Sequence, residues 1–447
     1  MTARWLLLLL LAGTLALAGC NRGERKGLFR GGAPKEQTMG DRISVLDFER
    51  SVEAEAELQD LEVVLPPAGV NPEWNQPGGS ASRAMGPLAH SGVANRLFEV
   101  SIGKGSSATR RLNASPVVAA NRVFTMDTEG LVRAFQADTG ALVWERSLGL
   151  KEEGKDPAFG GGVSVADGRV YATTGYGFAV ALDATSGAEL WRAEVGTPLR
   201  AAPSVGEGRV LLMSQDSKLT ALSAETGVQL WQVTATLEPA AILGPGGPAI
   251  DTGTVVAGFP SGELFALRVE NGRTVWQDQL ARTGRTTALG ALSAIVASPV
   301  IARGRVYAVG HAGRIVAIDL ATGQRAWERN LGGVHTPVVA GEFIFVVTTE
   351  AELVALTRRD GKIRWVTRLK RYDNEKKKSG VIAWAGPVLA GDRLWLVSSE
   401  GRMAEVDPRS GTILADHKLG GPAYLPPVVA NMILYVLRDD GRLLAFR

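Results

Sequence analysis

Apolar and polar residues alternate along most of this chain in short runs, with the two-residue period of strands rather than the 3.6-residue period of a helix. Residues 115–148 show the unit. Ser115-Pro-Val-Val-Ala is apolar without helical period, as suits a strand buried on both faces. Asn121 and its neighbours turn the chain, and Arg122-Val-Phe-Thr-Met-Asp alternates as a second strand. Glu129-Gly130 turns it again into Leu131-Val-Arg-Ala-Phe-Gln-Ala-Asp. Thr139-Gly140 makes a third turn, where glycine tolerates positive φ, and Leu142-Val-Trp-Glu-Arg-Ser-Leu follows. The pattern predicts four antiparallel strands joined by tight turns.

The unit recurs in register. With the turn glycine as origin (Gly140, Gly187, Gly227, Gly272, Gly323, Gly361), a tryptophan stands four residues later, at Trp144, Trp191, Trp231, Trp276, Trp327 and Trp365. An apolar residue stands five earlier and an alanine six earlier, from Phe135 and Ala134 through Leu356 and Ala355. A period of about 40–50 residues with short strands predicts an all-β propeller, because one sheet cannot hide both faces and stacking around an axis covers them. The recurrent tryptophan is expected to wedge between neighbouring blades.

Units begin near Ser115, Gly161, Ala202, Gly247, Ser298, Thr336, Gly386 and Pro426, which predicts eight blades. The seventh keeps Gly411 but has Glu405 for the alanine and Ala415 for the tryptophan. The eighth runs to Ala445-Phe446 and lacks a fourth strand. Leu97-Phe98-Glu-Val-Ser-Ile-Gly resembles Val143-Trp144-Glu-Arg-Ser-Leu-Gly, with Phe98 in the tryptophan's place. An N-terminal strand is therefore expected to close blade eight and remove the last open edge. The ring occupies 71–447, entered through Asn71-Pro-Glu-Trp-Asn-Gln-Pro-Gly-Gly.

Length alone would suggest two or three domains, and the repeat overrides that prior in favour of one ring. Lys and Arg number 49 against 46 Asp and Glu, a net charge of +3, and no basic patch interleaved with aromatics argues for nucleic acid. Lys376-Lys377-Lys378 falls in an insertion between blades six and seven and reads as a solvated loop. Cys20 is the single cysteine, so no disulfide or thiolate metal site is expected. His90, His311, His335 and His417 have no ligand spacing, and Asp183 and Asp319 precede turns, where a carboxylate caps its own turn. Gly244-Pro-Gly-Gly247 opens a strand rather than a helix, which argues against a phosphate cradle. No catalytic, cofactor or metal site is expected.

Arg4, the leucine-rich run to Leu17 and the small residues after it form a secretory signal over 1–19. Leu17-Ala-Gly-Cys20 resembles the bacterial lipobox, which implies acylation of Cys20 as the first mature residue. Asn21 rather than Asp after the cysteine implies, by resemblance to the enterobacterial sorting rule, the outer membrane. Residues 20–70 are then a lipidated N-terminus, a Gly/Arg/Lys-rich tether and a short extended or helical arm.

The repeat, clearest in Ala181-Leu-Asp-Ala-Thr-Ser-Gly-Ala-Glu-Leu-Trp191, resembles the pyrroloquinoline-quinone-type propeller repeat. Two groups carry it in eight-bladed form: the quinoprotein alcohol dehydrogenases and the BamB family of outer-membrane lipoproteins. The lipobox, the tether and the eight units resemble the BamB family over essentially the whole chain. Arg42-Ile-Ser-Val-Leu and Trp74-Asn-Gln-Pro-Gly-Gly are similar to its alphaproteobacterial version. Quinoproteins pair adjacent cysteines over the cofactor and hold calcium, and the first of these elements is missing here.

The resemblance implies a non-catalytic scaffold in the β-barrel assembly complex, monomeric within it. Its implied partners are the periplasmic POTRA domains of BamA, other subunits of the complex and unfolded barrel proteins. In that family BamA is met by loops leading into blades four and five. The corresponding stretches here are 239–244 and 291–296, so Ile242, Leu243, Gly244, Leu292 and Ile295 are the implied partner-binding residues. The family's arginine and acidic residues are not matched there. A binding module for polysaccharide or peptidoglycan and, further off, a quinone-dependent dehydrogenase are the other readings.

Overall fold

β-Branched and aromatic residues in short alternating runs, cut by Gly, Asn and Asp turns, produce strands of three to seven residues throughout the ring. The computed structural model describes residues 52–447 apart from 93, 149–159, 239–245, 281–293 and 312. Its strands form eight four-stranded antiparallel sheets, with one two-stranded hairpin besides. Blade 1 is Val117–Ala119, Arg122–Met126, Leu131–Gln136 and Leu142–Ser147. Blades 2 to 7 repeat this order from inner to outer strand over 161–194, 204–234, 249–279, 300–329, 338–368 and 384–418. The eight-bladed all-β propeller expected from the repeat is what the chain forms.

Blade 8 has its inner three strands at Val428–Ala430, Ile433–Leu437 and Arg442–Phe446. Its outer strand is Arg96–Ser101, paired antiparallel to Arg442–Phe446. Phe98 faces Ala445 there, as Trp144 faces Ala134 in blade 1 and Trp191 faces Ala181 in blade 2. Even the bulge just before the aromatic residue is repeated. The ring is closed by an N-terminal strand in the register that the sequence resemblance implied.

The conserved spacing of glycine and tryptophan has one physical cause. Each tryptophan lies on the turn of the next blade and donates its Nε1–H to a carbonyl there. Trp144 reaches Ala184, Trp191 Ala224, Trp231 Val269, Trp276 Leu320, Trp327 Arg358 and Trp365 Pro408, at 2.8–3.1 Å. A Cβ placed on Gly187, Gly227, Gly272, Gly323, Gly361 or Gly411 would lie 2.5–2.7 Å from that indole. These glycines also sit at φ of +69 to +76°, which L side chains rarely adopt. Glycine is thus required twice over, for the turn and for the ring lying flat on it. Phe98 makes the same contact with Gly140 across the closing seam, without a polar donor. Tyr435 supplies one instead, from its hydroxyl to the Ala137 carbonyl at 2.7 Å.

Blade 7 departs from the rule because blade 8 receives its outer strand from elsewhere in the chain. No tight turn joins the third and fourth strands of blade 8, so an indole there would have no glycine to cover. Ala415 holds the tryptophan register, opposite Glu405. His417 Nε2 meets the Glu405 carboxylate at 2.5 Å, and fully buried Trp395, on the second strand, fills the volume beside them.

The turn aspartates act as expected. The Asp183 carboxylate accepts from the Thr185 and Ser186 amides and the Ser186 hydroxyl at 2.7–3.0 Å, and the Ser186 bonds hold its pKa below the usual range. Asp319 does the same with Ala321 and Thr322. Arg122, Arg169 and Arg305 open second strands and donate to the carbonyls of the next blade's turn, a second inter-blade tie in the same place.

Trp276→Ala removes a buried indole and its hydrogen bond and should cost about 3–5 kcal/mol. Gly323→Ala should cost about 1–3 kcal/mol through positive φ and the clash with that indole. The double variant should lose less than the sum, since the clash with the indole ring is then gone and only the contact with the Cβ of residue 276 remains. Denaturant unfolding of the four proteins measures the coupling, and strict additivity would refute the docking argument.

Candidate functional site: the axial segment and the loop face

The inner strand of every blade presents an unpaired edge to the ring's axis, and a buried edge needs partners. Residues 71–91 supply them by running round the axis. Asn71 accepts from the Asn431 amide of blade 8 at 2.8 Å. Trp74 exchanges two main-chain bonds of 2.8 Å with Val118 of blade 1, and Asn75 accepts from Val165 of blade 2 at 2.7 Å. Gln76 uses its side-chain amide as a substitute peptide, donating to the Val205 carbonyl and accepting from its amide at 3.1 Å each, in blade 3. Gln76-Pro-Gly-Gly79 is a tight turn with Pro second and Gly third, Gly78 at φ +83°, as a type II turn requires. Ala81 and Ser82 then accept from Ile250 and Ile301 of blades 4 and 5, and Leu88 exchanges bonds with Leu389 and Gly391 of blade 7. Among the described residues, Val339 of blade 6 is the inner-strand position that receives no such bond.

Arg83 pins this segment. Its guanidinium donates to the Pro77 and Ser80 carbonyls, the Ser204 hydroxyl at 2.6 Å and the Pro248 carbonyl at 3.1 Å. It is 4% exposed, and burial draws its pKa down to about 9, so it stays charged near neutrality. A largely apolar pocket, open to solvent, remains beside it, between the segment and the strand entrances of blades 4 to 8 and 1. His335 lines this pocket and burial lowers its pKa to about 4, against a weaker opposing effect from a backbone bond with Trp384.

Four antiparallel strands bring each blade's end to the face where the next blade begins, so all outer-to-inner connections share one face. On it, Tyr372–Asn374 and Ser379–Val381 form an exposed hairpin that carries Lys376, Lys377 and Lys378 into solvent. Leu237 is 62% exposed at the entrance to the loop before blade 4. Ile242, Leu243, Gly244 and Leu292 lie outside the described residues, as does Cys20. Ile295 is 3% exposed, packs on Gly258, and donates its amide to the Phe259 carbonyl at 3.1 Å. It anchors the base of its loop inside the ring wall.

The stretch 52–70, read from sequence as an arm, lies along blades 5 and 6. The Glu55 amide donates to Ile363 on the outer strand of blade 6 at 2.9 Å, Arg364 donates to the Leu61 carbonyl, and Val63 is buried beside Phe343. Sequence reasoning did not single out Gln76 and Arg83. The signal available was the Trp74-Asn-Gln-Pro-Gly-Gly stretch itself, polar and turn-forming where the chain enters the ring. Among the described residues no cluster of three His, Cys, Asp or Glu is placed to hold a metal.

Tryptophan-docked blades around an axis lined by the chain's own N-terminal segment define a PQQ-repeat-type eight-bladed propeller. Residues 128–367 match the family described as "Outer membrane protein assembly factor BamB". The chain is 32% identical over 353 residues to the protein of that name from Salmonella typhimurium, covering 78% of this chain and 88% of the relative. Against the Escherichia coli protein it is 35% identical over 335 residues, 74% and 83% of the two chains. The crystal structure of BamB from Moraxella catarrhalis superposes with a TM-score of 0.69 at 19% identity, over 79% of this chain and all of that one. Quinohemoprotein alcohol dehydrogenase from Comamonas testosteroni shares the fold, with a TM-score of 0.65 at 14% identity over 85% of this chain and 81% of that one. The chain belongs to the BamB family of outer membrane protein assembly factors.

Because His335 takes up its proton at about 4 in the folded chain and at 6.5 ordinarily, the unfolded chain binds the extra proton between those values. Stability therefore rises with pH across that window, and the penalty is complete below it. His335→Asn should abolish up to about 3 kcal/mol of this acid sensitivity. Denaturant midpoints at about pH 7 and about pH 4 read it out, and an unchanged difference between the two would exclude His335 as the cause.

Proposed function

We propose that this chain is a non-catalytic scaffold subunit of the outer-membrane β-barrel assembly complex. It sits on the periplasmic face of the outer membrane, held by a lipid on Cys20, and docks on the POTRA domains of BamA. The observation that carries the reading is family membership across nearly the whole ring, with relatives named as outer membrane protein assembly factors. The architecture suits the role. A ring tied at every blade seam is rigid, and loops on one face can vary without disturbing it.

Docking is placed on the loops that flank blade 4. Connections between blades differ in length: Leu331 to Thr336 is short, while 236–246 and 281–297 are long. Extra loop length costs little folding free energy, so length that recurs on one face points to use. Ile242, Leu243 and Gly244 in the first loop and Leu292 in the second form the contact, with Ile295 fixing the second loop's base. Apolar residues in a connection where solvent exposure is expected suit a buried anchor in a complex. The scaffold would hold unfolded barrel proteins near the insertion machinery, one copy per complex.

Ile242→Asp with Leu243→Asp should abolish copurification with BamA and leave the circular dichroism and melting temperature unchanged. Lys376→Glu, Lys377→Glu and Lys378→Glu together should leave copurification intact. Retention of BamA by the first variant would move the interface elsewhere on the ring. Cys20→Ser should shift the protein from the outer-membrane fraction to the soluble one, and persistence in the membrane fraction would point to another anchor.

A further inference from the structure

Six seams of the ring are closed by an indole, and the seam from blade 8 to blade 1 by Phe98 and Tyr435. The seam between blades 7 and 8 gathers titratable side chains around a buried tryptophan, close to where the chain enters the closing strand Arg96–Ser101. Fully buried Trp395 of blade 7 is flanked there by two imidazoles. His90 meets it edge to face at 5.5 Å between ring centroids, and His417 stacks on it at 6.5 Å. His417 belongs to the outer strand of blade 7, whereas His90 stands just ahead of the closing strand. His90 is buried, and its Nδ1 accepts the Gly92 amide at 3.0 Å. The side chain thus makes the turn that Asn or Asp usually makes, bonding its own backbone two residues on. This turn rests on blade 7: a Cβ on Gly391 would lie 2.8 Å from the His90 carbonyl oxygen and 2.9 Å from the Gly92 nitrogen. Leu88 exchanges bonds with Leu389 and Gly391 before it, and Asn95 accepts from the Arg447 amide at 2.9 Å after it.

The Gly92 bond fixes the tautomer of His90. Since Nδ1 accepts, the neutral ring carries its hydrogen on Nε2. A second proton can go only to Nδ1, where it would face the Gly92 N–H, donor against donor. Burial also opposes the charge and holds the pKa below the ordinary 6.5, outweighing a backbone bond with Phe446 and the attraction of Glu405. The charged groups on the packed elements already have partners. On blade 7 Glu405 meets His417 at 2.5 Å and Arg393 at 3.7 Å, and Asp392 meets Arg409 at 3.4 Å. On blade 8 Arg96 pairs with Glu99 at 3.0 Å, and Arg447 donates to the Asn431 carbonyl at 3.3 Å. None of these carboxylates is left free to balance a charge on His90. We propose that the His90 turn is an acid-operated latch on the ring's closing strand: protonation of His90 breaks the Gly92 bond, lifts the turn from Gly391 and loosens Arg96–Ser101 from Arg442–Phe446. Loosening bares the edge of Arg442–Phe446, and a bare strand edge can pair with another strand. The latch is built into the closure of the ring and does not depend on the scaffold reading.

Hydrogen exchange of the full chain at about pH 7.5 and about pH 5, corrected for intrinsic exchange and read by mass spectrometry, tests the latch. With His90 held below 6.5 in the closed form and near 6.5 in the open one, the open form binds the extra proton as pH falls. Protection of 96–101 should therefore drop by about tenfold from the higher pH to the lower, relative to Arg209–Met213 of blade 3. The reference strand carries any global loss, including that from His335. His90→Asn keeps an acceptor for the Gly92 amide and takes up no proton, so its ratio should stay constant between the two conditions. His417→Gln, on the other side of Trp395, should leave the drop in place. An unchanged ratio in the unaltered chain, an equal drop in a folded His90→Asn chain, or loss of the drop in a folded His417→Gln chain would each overturn the proposal. The first of these needs no variant, so a misfolded mutant leaves the latch exposed to refutation.

Discussion

The ring depends on one contact made again at six of its eight seams: an indole laid flat on the glycine of the next blade's turn, its N–H on that turn's carbonyl. The contact joins two requirements that are usually separate. The apolar face of the tryptophan gains burial, and its single donor is satisfied in the same place, so nothing polar is stranded at the seam. The turn glycine is held by backbone conformation and by the ring above it, as with Gly361 at φ +69° and 2.5 Å from the Trp327 ring. Since each indole reads the blade after it, the contact is directional, and a chain of such contacts can end only by closing. The seam between blades 7 and 8 shows the rule by its exception. Where the outer strand comes from Arg96–Ser101 there is no turn to cover, and alanine, glutamate and histidine stand where tryptophan and alanine would.

Closure leaves two sets of strand edges, one facing the axis and one facing outward, and the same N-terminal stretch treats both. Residues 71–91 hydrogen-bond the inner edges of seven blades. Residues 55–61 lie against the outer strand of blade 6, and 63–66 run on past Phe343 to Gly341 at the turn into its second strand. The substitution of a side-chain amide for a peptide at Gln76 follows from geometry. The segment must turn sharply at Pro77-Gly78 while still meeting Val205, and a side chain reaches where the main chain has already turned away. Gly78 allows the Arg83 stem to approach, since a Cβ there would lie 2.7 Å from Arg83 Cδ.

The blades were legible because a repeat multiplies weak signals. Any one turn glycine or tryptophan is uninformative, but six such pairs in common register leave little choice of architecture. The closing strand was legible for the same reason, through Phe98 in the tryptophan's place. The axial segment was not, since its contacts go to a different blade every few residues and so have no period to read. Arg83 looks in the sequence like any solvated arginine, and its burial depends on Ser204 and Pro248, far along the chain. Ile295 shows a further limit. An apolar residue in a long connection can face a partner or the chain's own core, and pattern alone does not separate the two. Here it sits against Gly258, whose missing side chain makes the room: a Cβ there would lie 2.3 Å from Ile295 Cγ2.

The same separation of parts puts the ring and the loops of its outer-to-inner face under different constraints. Indole docking constrains the Ala, turn-Gly and Trp positions at six seams, and a change at one of them strains two blades. Loops on the outer-to-inner face answer to no such constraint, because they leave one tied strand and return to another. A loop such as 236–246 can therefore change its side chains without any cost to closure. The axis lies between these extremes. Its backbone bonds are fixed by the inner strands, but the side chains that line the pocket are held to no repeat. Selection can thus place a charged donor there, against the desolvation cost of a buried guanidinium, only where something outside the repeat rewards it.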